Sequence, residues 1–184
     1  MPAAGIAFGY QVASRLAYVL YVGLTLKREE HSRSLTERYG AAAAFRRFRR
    51  TASVVMGNDG VSLIVLCLVT RNSLDLPLSP AWRIAVGLVL VCIGLGTKLW
   101  AAATLGVDGY YWRNFFQSGN GIVPTAAGPY RFLKNPMYTV GYLHTYGFAL
   151  VTASGLGLLA ALFDQIAILA FYWSVEKPHF DRHT

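Results

Sequence analysis

The chain has 184 residues, 54% of them hydrophobic and 14% charged, with a formal net charge of +8 and a mean hydropathy of +0.39. Soluble domains carry roughly 25% charged residues, so the composition argues for a membrane bundle over a water-soluble core. Most of the excess charge falls in one short segment, eight basic against three acidic residues between Lys27 and Arg50, which speaks against nucleic-acid binding.

In chain order, Met1 to Phe8 has no basic stretch ahead of its apolar part, unlike a secretory signal. The first segment is therefore expected to stay in the mature protein. A spanning helix needs about 20 mostly apolar residues, and Ala3 to Leu26 meets that length although Arg15 interrupts it. Tyr39 to Met56, with Phe45-Arg46-Arg47-Phe48-Arg49-Arg50, reads as a basic interfacial helix. Arginines beside aromatics suit an anionic lipid surface, each charge adding about 1 kcal/mol. Ala52 to Thr70 is apolar but holds Asn58-Asp59-Gly60, which reads as a turn and predicts a short or broken span.

Trp82 to Leu105 is a further span, with Arg83 at one end and Lys98 towards the other. After the Val107–Asn135 loop, Pro136 to Ala153 and Gly155 to Val175 form a pair joined by a tight Ser-Gly link. Pro136 reads as the first helical residue, where a missing N–H costs nothing. A helix starting there would aim free N–H groups at an anion. The expected fold is all-α: a polytopic membrane bundle of about five transmembrane helices plus the interfacial basic helix. Residues 1–184 read as one domain, with a basic segment at 27–56. No internal repeat is visible.

Charge gives the orientation. The Lys27–Arg50 link is strongly basic, whereas Arg71 to Pro80 holds only Arg71 and Asp75. By the positive-inside tendency the first link is cytoplasmic. Five spans then put the Val107–Asn135 loop and the C-terminal tail on the cytoplasmic side as well.

Ionisable groups inside spans are costly and are functional candidates by default. Arg15 and Asp164 fall near mid-span and either pair with each other and nearby polar groups or line a pathway. Lys98 either snorkels or faces a site. His144 lies eight residues into the helix expected from Pro136, roughly 12 Å deep at 1.5 Å per residue. Tyr138, Tyr142 and Tyr146 share a face at four-residue spacing, the pattern of packing as much as of a site. Gly94-Leu95-Gly96 in a span is by itself a packing signal. Gly87, Gly94 and Gly96 equally suit a homodimer seam. Cys67 and Cys92 lie in apolar runs and imply no disulfide. The four histidines lack zinc-ligand spacing with them, so no metal is expected.

These signals occur in a recognisable order. Gly94-Leu95-Gly96, then Asn135-Pro136-Met137-Tyr138, then Glu176 with Pro178 behind it, resembles the phosphatidylethanolamine N-methyltransferases. The wider group is the integral-membrane methyltransferases that include isoprenylcysteine carboxyl methyltransferase. The resemblance covers roughly Val86 to Phe180, so 86–180 is the expected cofactor-binding and catalytic half. It implies S-adenosylmethionine as methyl donor, held at the cytoplasmic side by Gly94, Gly96, Tyr130, Asn135, Pro136, Tyr138 and Glu176. Asn135 stands where the carboxyl methyltransferase branch usually has histidine, which favours a phospholipid acceptor. Lys177 stands where the phospholipid branch tends to have a second glutamate.

The activity so implied is methyl transfer to the amine headgroup of phosphatidylethanolamine or its methylated derivatives. The amine must lose a proton before it attacks, and histidine, with an ordinary pKa near 6.5, suits that task. His144 is the expected base and Asp108 the second choice, with Tyr142 and Lys98 at the substrate. The expected partners are a membrane phospholipid and an anionic lipid surface. Two other readings stay open: methylation of a prenylcysteine carboxylate or another small lipophilic acceptor, and a non-enzymatic membrane scaffold or transporter component. Without the resemblance, Glu176 reads as a solvated charge at a helix end.

Overall fold

The computed structural model describes residues 2–117 and 127–183, so 118–126 of the Val107–Asn135 loop fall outside the described residues. All regular elements among the described residues are helical: α1 (Pro2–Ser32), α2 (Ser34–Tyr39), α3 (Ala41–Val69), α4 (Pro80–Tyr110), α5 (Leu143–Val151), α6 (Gly155–Phe171) and α7 (Lys177–His183). Short tight turns at Arg113–Phe116, Gly128–Arg131 and Val140–Tyr142 fill the connection from α4 to α5.

Local chemistry sets several boundaries. Ser79 caps α4 by accepting from the Trp82 N–H at 3.4 Å, with Pro80 at the start of the helix. Ser154 caps α6 by accepting from the Gly157 N–H at 2.8 Å, so the Ser-Gly link does form a tight join. The Glu29 carboxylate takes the N–H groups of Leu35 and Thr36 at 2.9 and 3.0 Å. That bond pair satisfies the first donors of α2, whose preceding residue Arg33 offers no side-chain cap. Helix α4 loses regular geometry at Gly106, which has φ 69°, one residue past the span end expected at Leu105.

Two apolar clusters hold the bundle. One gathers Tyr18, Leu26, Phe48, Trp112, Phe116 and Phe171; the other gathers Ala7, Leu63, Leu66, Cys67, Ala149 and Ala160. On α1, α3 and α6 alike, a polar residue stands between them: Arg15, Asp59 and Asp164, all buried. Arg15 pairs with Asp59 at 2.6 Å and with Asp164 at 3.0 Å. Gln11 adds a 2.7 Å hydrogen bond to Asp164. The two mid-span charges of the sequence therefore do pair directly, and Arg15 also takes a third residue, Asp59, that reads as part of a turn in sequence.

That residue corrects one expectation. Asn58-Asp59-Gly60 is not a turn, because α3 runs unbroken from Ala41 to Val69. Tertiary partners override the local preference: Asp59 meets Arg15, and Asn58 bonds Tyr10 and Ser14 at 2.7 and 2.6 Å. The interfacial helix at 39–56 and the span at 52–70 are thus two halves of one helix. The basic segment 27–56 is accordingly the end of α1, α2 and the first half of α3.

A second correction concerns Pro136. The chain turns through 136–139 and becomes α-helical only at Leu143. Thr139 (φ −104°, ψ −93°) lies outside the helical region. Helix α5 has nine residues, about 14 Å long, too short to cross a hydrocarbon core of about 30 Å alone. His144 consequently sits at the start of α5 rather than eight residues into a helix. Among the described residues, three helices are long and apolar enough to cross a membrane: Ala41–Val69, Pro80–Phe116 and Gly155–Arg182.

Helix α5 is held against α4 by missing side chains. A Cβ on Gly87 would lie 2.9 Å from the Gly147 carbonyl, and one on Gly94 would overlap the His144 backbone nitrogen. Gly87 and Gly94 are packed against α5 within the chain, whereas of these three α4 glycines Gly96 has nothing within 4 Å of an added Cβ. The outer face of α4, with Val86, Val89, Ile93 and Leu99, stays exposed as a skin suited to lipid.

Candidate functional site

The chain after α6 widens into a π turn at Tyr172–Glu176, a local insertion often found at functional sites. The turn swings Glu176 inward, where it is 8% exposed. The solvated helix-end reading is thereby overturned. Its Oε1 accepts from the Tyr138 hydroxyl at 2.8 Å and from the Trp112 indole N–H. Its Oε2 takes no hydrogen bond among the described residues. A buried carboxylate with one open oxygen is a receptor for a cation, since an unpaired buried charge is costly.

Aromatic residues surround that carboxylate. Trp112 packs edge-on against Phe171 at 5.5 Å between ring centroids, and Tyr138 against Tyr172 at 6.3 Å. Tyr130 comes from the Gly128–Arg131 turn. Gly128 has φ 55°, and a Cβ there would collide with Thr104, so the turn docks on α4 only with glycine. Burial first, and the nearby Glu176 carboxylate second, push the Tyr130 phenol above its ordinary pKa, so it stays a neutral donor. Asn135 contributes a buried side-chain nitrogen without a hydrogen-bond partner among the described residues. Pro136 beside it is fully buried.

Next to this group is a cavity of about 140 Å³ whose polar lining includes Arg15, Asp59, Lys98, Tyr142 and His144. Trp112 and Tyr138 also line it, so the two side chains that hold Glu176 form part of the cavity wall. Arg15 donates to the Tyr142 hydroxyl at 2.9 Å, and the Lys98 ammonium stands 5.7 Å from the centre of the Tyr142 ring. His144 Nδ1 lies 2.5 Å from the Gly141 carbonyl. A carbonyl only accepts, so Nδ1 carries the proton and neutral His144 keeps its lone pair on Nε2.

The structure thus brings Tyr130, Tyr138 and Glu176 together, and sets Lys98, Tyr142 and His144 around the adjoining cavity. The tyrosine stripe dissolves: Tyr138 turns to Glu176, Tyr142 to Arg15, and Tyr146 to Gln165 at 2.7 Å. Asp108 lies apart. It pairs with Arg113 and, at 3.7 Å, with Arg49, is 40% exposed, and does not line the cavity. Gly94 supports His144 from beneath, whereas nothing lies within 4 Å of a Cβ placed on Gly96. Trp112 and Asp59 escaped the sequence reading. The Tyr110-Tyr111-Trp112 run at the end of a span was the available signal for the former.

S-adenosylmethionine offers an ammonium, a carboxylate and an adenine. The open Glu176 oxygen fits the first and the orphan Asn135 amide fits an acceptor on either of the others, so the residues present suit this group. Ligand sites usually measure 300–1,000 Å³. The cavity of about 140 Å³ is therefore the size for a headgroup, not for the whole donor.

No solved structure matches the chain. Among curated proteins it is similar to the phosphatidylethanolamine N-methyltransferases of Talaromyces marneffei (34% identical over 137 residues), Scheffersomyces stipitis (30% over 143) and Clavispora lusitaniae (28% over 143). Each match covers 73% of this chain but only 14 to 17% of the relative, so the chain spans about one-sixth of the length of those proteins. The family described as phospholipid methyltransferase matches residues 82–183, which takes in α4, α5, α6, Glu176 and most of the cavity's polar wall, and the chain belongs to that family.

Proposed function

We propose that this protein methylates the amine headgroup of phosphatidylethanolamine or its methylated derivatives, with S-adenosylmethionine as donor, at a site on the cytoplasmic side of the membrane. The observation that carries this reading is Glu176: a buried carboxylate with one oxygen pinned by Trp112 and Tyr138 and the other open. The names of the similar fungal proteins support the acceptor. When bound, the donor supplies an electrophilic methyl group on a sulfonium.

The chain's own residues supply positioning and proton handling, which dominate the cost of an in-line displacement. Glu176 Oε2 holds the donor's ammonium, and the Asn135 amide donates to its carboxylate or adenine. Pro136 fixes the turn that presents Asn135 and Tyr138. Tyr130 and Tyr138 offer ring faces to the sulfonium, an attraction of about 0.5–2 kcal/mol. Gly94 seats the start of α5 on α4, and Gly96 leaves open space beside α4 for the donor. The lipid arrives sideways with its tails in hydrocarbon and its headgroup in the cavity. His144 Nε2 takes the proton from the amine before attack, while Lys98 and Tyr142 hold the headgroup. The basic face with Arg46, Arg47 and Arg50, exposed on α3, rests on anionic lipid. With Gly96 open, a homodimer contact along α4 remains available to the fold.

The test is direct. Purified protein is given methyl-labelled S-adenosylmethionine with phosphatidylethanolamine or with a farnesyl-cysteine analogue. Label in mono-, di- or trimethylated ethanolamine lipid is the expected result. Label in the prenylcysteine ester alone transfers the chemistry to a carboxylate acceptor. Absence of saturable donor uptake removes the enzyme reading altogether.

A further inference from the structure

Two cations line the cavity, and they are not alike. Arg15 is compensated twice, by Asp59 at 2.6 Å and by Asp164 at 3.0 Å. Lys98 takes part in none of the ion pairs formed among the described residues. Its ammonium faces the Tyr142 ring at 5.7 Å, a contact of about 0.5–2 kcal/mol, and feels the Asp59 carboxylate on the cavity wall without closing an ion pair with it. A lysine inside a span without a carboxylate partner is expensive unless it meets an anion in use.

The cavity around it is built for one anion and one amine. With both carboxylates ionised, the Arg15, Asp59 and Asp164 group carries one more negative charge than positive. Its wall therefore repels an anion and draws it across to Lys98. Tyr142 stands between the two cations, its ring facing Lys98 at 5.7 Å and its hydroxyl on Arg15. Because its oxygen accepts from Arg15 at 2.9 Å, its own O–H proton is free to donate. An ammonium and a phenol lining one cavity both offer donors to a phosphate. In an ethanolamine phospholipid the phosphodiester stands two carbons from the amine, so a phosphate at Lys98 leaves the amine inside the cavity with His144.

We infer that Lys98, assisted by the Tyr142 hydroxyl, binds the headgroup phosphodiester and so selects phospholipid over a lipophilic amine that lacks phosphate. This rests on the proposed function for the identity of the acceptor. The chemistry shared with a prenylcysteine acceptor is an anion on a lipophilic tail, and the test separates the two.

Short-chain dihexanoyl phosphatidylethanolamine, an alkyl ethanolamine without phosphate, and farnesyl-cysteine are each titrated calorimetrically into the detergent-solubilised protein. Wild type, Lys98→Gln, Lys98→Met and Lys98→Arg are compared, with S-adenosylmethionine titrated into each. The expected result is phospholipid binding weakened about ten-fold or more by Gln and Met, the loss of one charge-assisted contact, and largely restored by Arg. Alkyl ethanolamine and donor binding should stay as in wild type. Lys98 closes no ion pair among the described residues and Asp59 keeps Arg15 at 2.6 Å, so both neutral variants should fold; equal weakening of every ligand would show lost structure and overturn the inference. Phospholipid affinity unchanged in Lys98→Gln overturns it, as does wild type that does not bind the phospholipid. Farnesyl-cysteine, rather than phospholipid, losing affinity in Lys98→Gln also overturns it in favour of a carboxylate. The proposed activity stands or falls separately, on donor uptake and label transfer by wild type.

Discussion

Tyr138 and Glu176, far apart in sequence, are joined by a 2.8 Å hydrogen bond that ties the turn before α5 to the end of α6. The same carboxylate oxygen serves Trp112. Glu176→Gln keeps an amide oxygen for both donors but removes the charge from the other arm. Affinity for S-adenosylmethionine should then fall about ten- to a hundred-fold, the range of a lost charged hydrogen bond, with little change in melting temperature. Calorimetric titration checks this, and an unaltered affinity would remove Glu176 from the donor site.

The two glycines of Gly94-Leu95-Gly96 should behave oppositely. Alanine at 94 drives a methyl into the His144 backbone and should cost at least about 1–3 kcal/mol through overpacking. Alanine at 96 meets open space and should stabilise the helix by about 0.5–1 kcal/mol. Thermal unfolding of both variants in one detergent gives the comparison; equal melting temperatures would refute the close α4–α5 contact.

Arg15→Met leaves Asp59 and Asp164 buried with no cation between them. Breaking a buried pair from one side costs about 3–5 kcal/mol, so the variant should unfold far more readily. Adding Asp59→Asn and Asp164→Asn should recover much of the loss. A single variant as stable as wild type would mean that the pairing contributes nothing.

Asp108 and His144 can be told apart by pH. A general base works only when unprotonated, so the wild-type rate should fall on the acidic side as the base gains its proton. His144→Ala should flatten that limb and cut turnover more than donor affinity. Asp108→Asn, remote from the cavity and already held by two arginines, should keep both limb and rate. The opposite outcome would exchange their roles.

Neutralising Arg46, Arg47, Arg49 and Arg50 together should reduce stimulation by anionic lipid. Vesicles of graded phosphatidylserine content provide the measurement. Equal sensitivity in the variant and wild type would separate the basic face from lipid binding.

The chemistry was more legible in the sequence than the geometry was. Glu176 and the Asn-Pro-Met-Tyr run stand out through the family resemblance, since Glu176 on its own reads as a solvated charge at a helix end. The path of the backbone was not legible where tertiary partners outvote local preference. Asp59 reads as a turn residue until Arg15 is seen beside it. Tyr138 and Tyr142 read as one stripe because their spacing fits a helix, yet different partners pull them out of that register. Trp112, with φ 57° in a connection, has no periodic neighbour to announce it. The π turn that buries Glu176 has no sequence signature.

The mid-membrane bridge also bears on how the protein is made. Arg15 leaves the ribosome well before Asp59, and much earlier than Asp164. Until Asp59 is made, Arg15 lacks both of its counter-charges, and until Asp164 is made it lacks one. The first helix can settle only after the third has arrived, and fully only once the sixth has been synthesised. An N-terminal fragment ending before Asp164 leaves Arg15 and Gln11 each short of one partner, so the first helix reaches its full set of contacts only in a chain that includes α6.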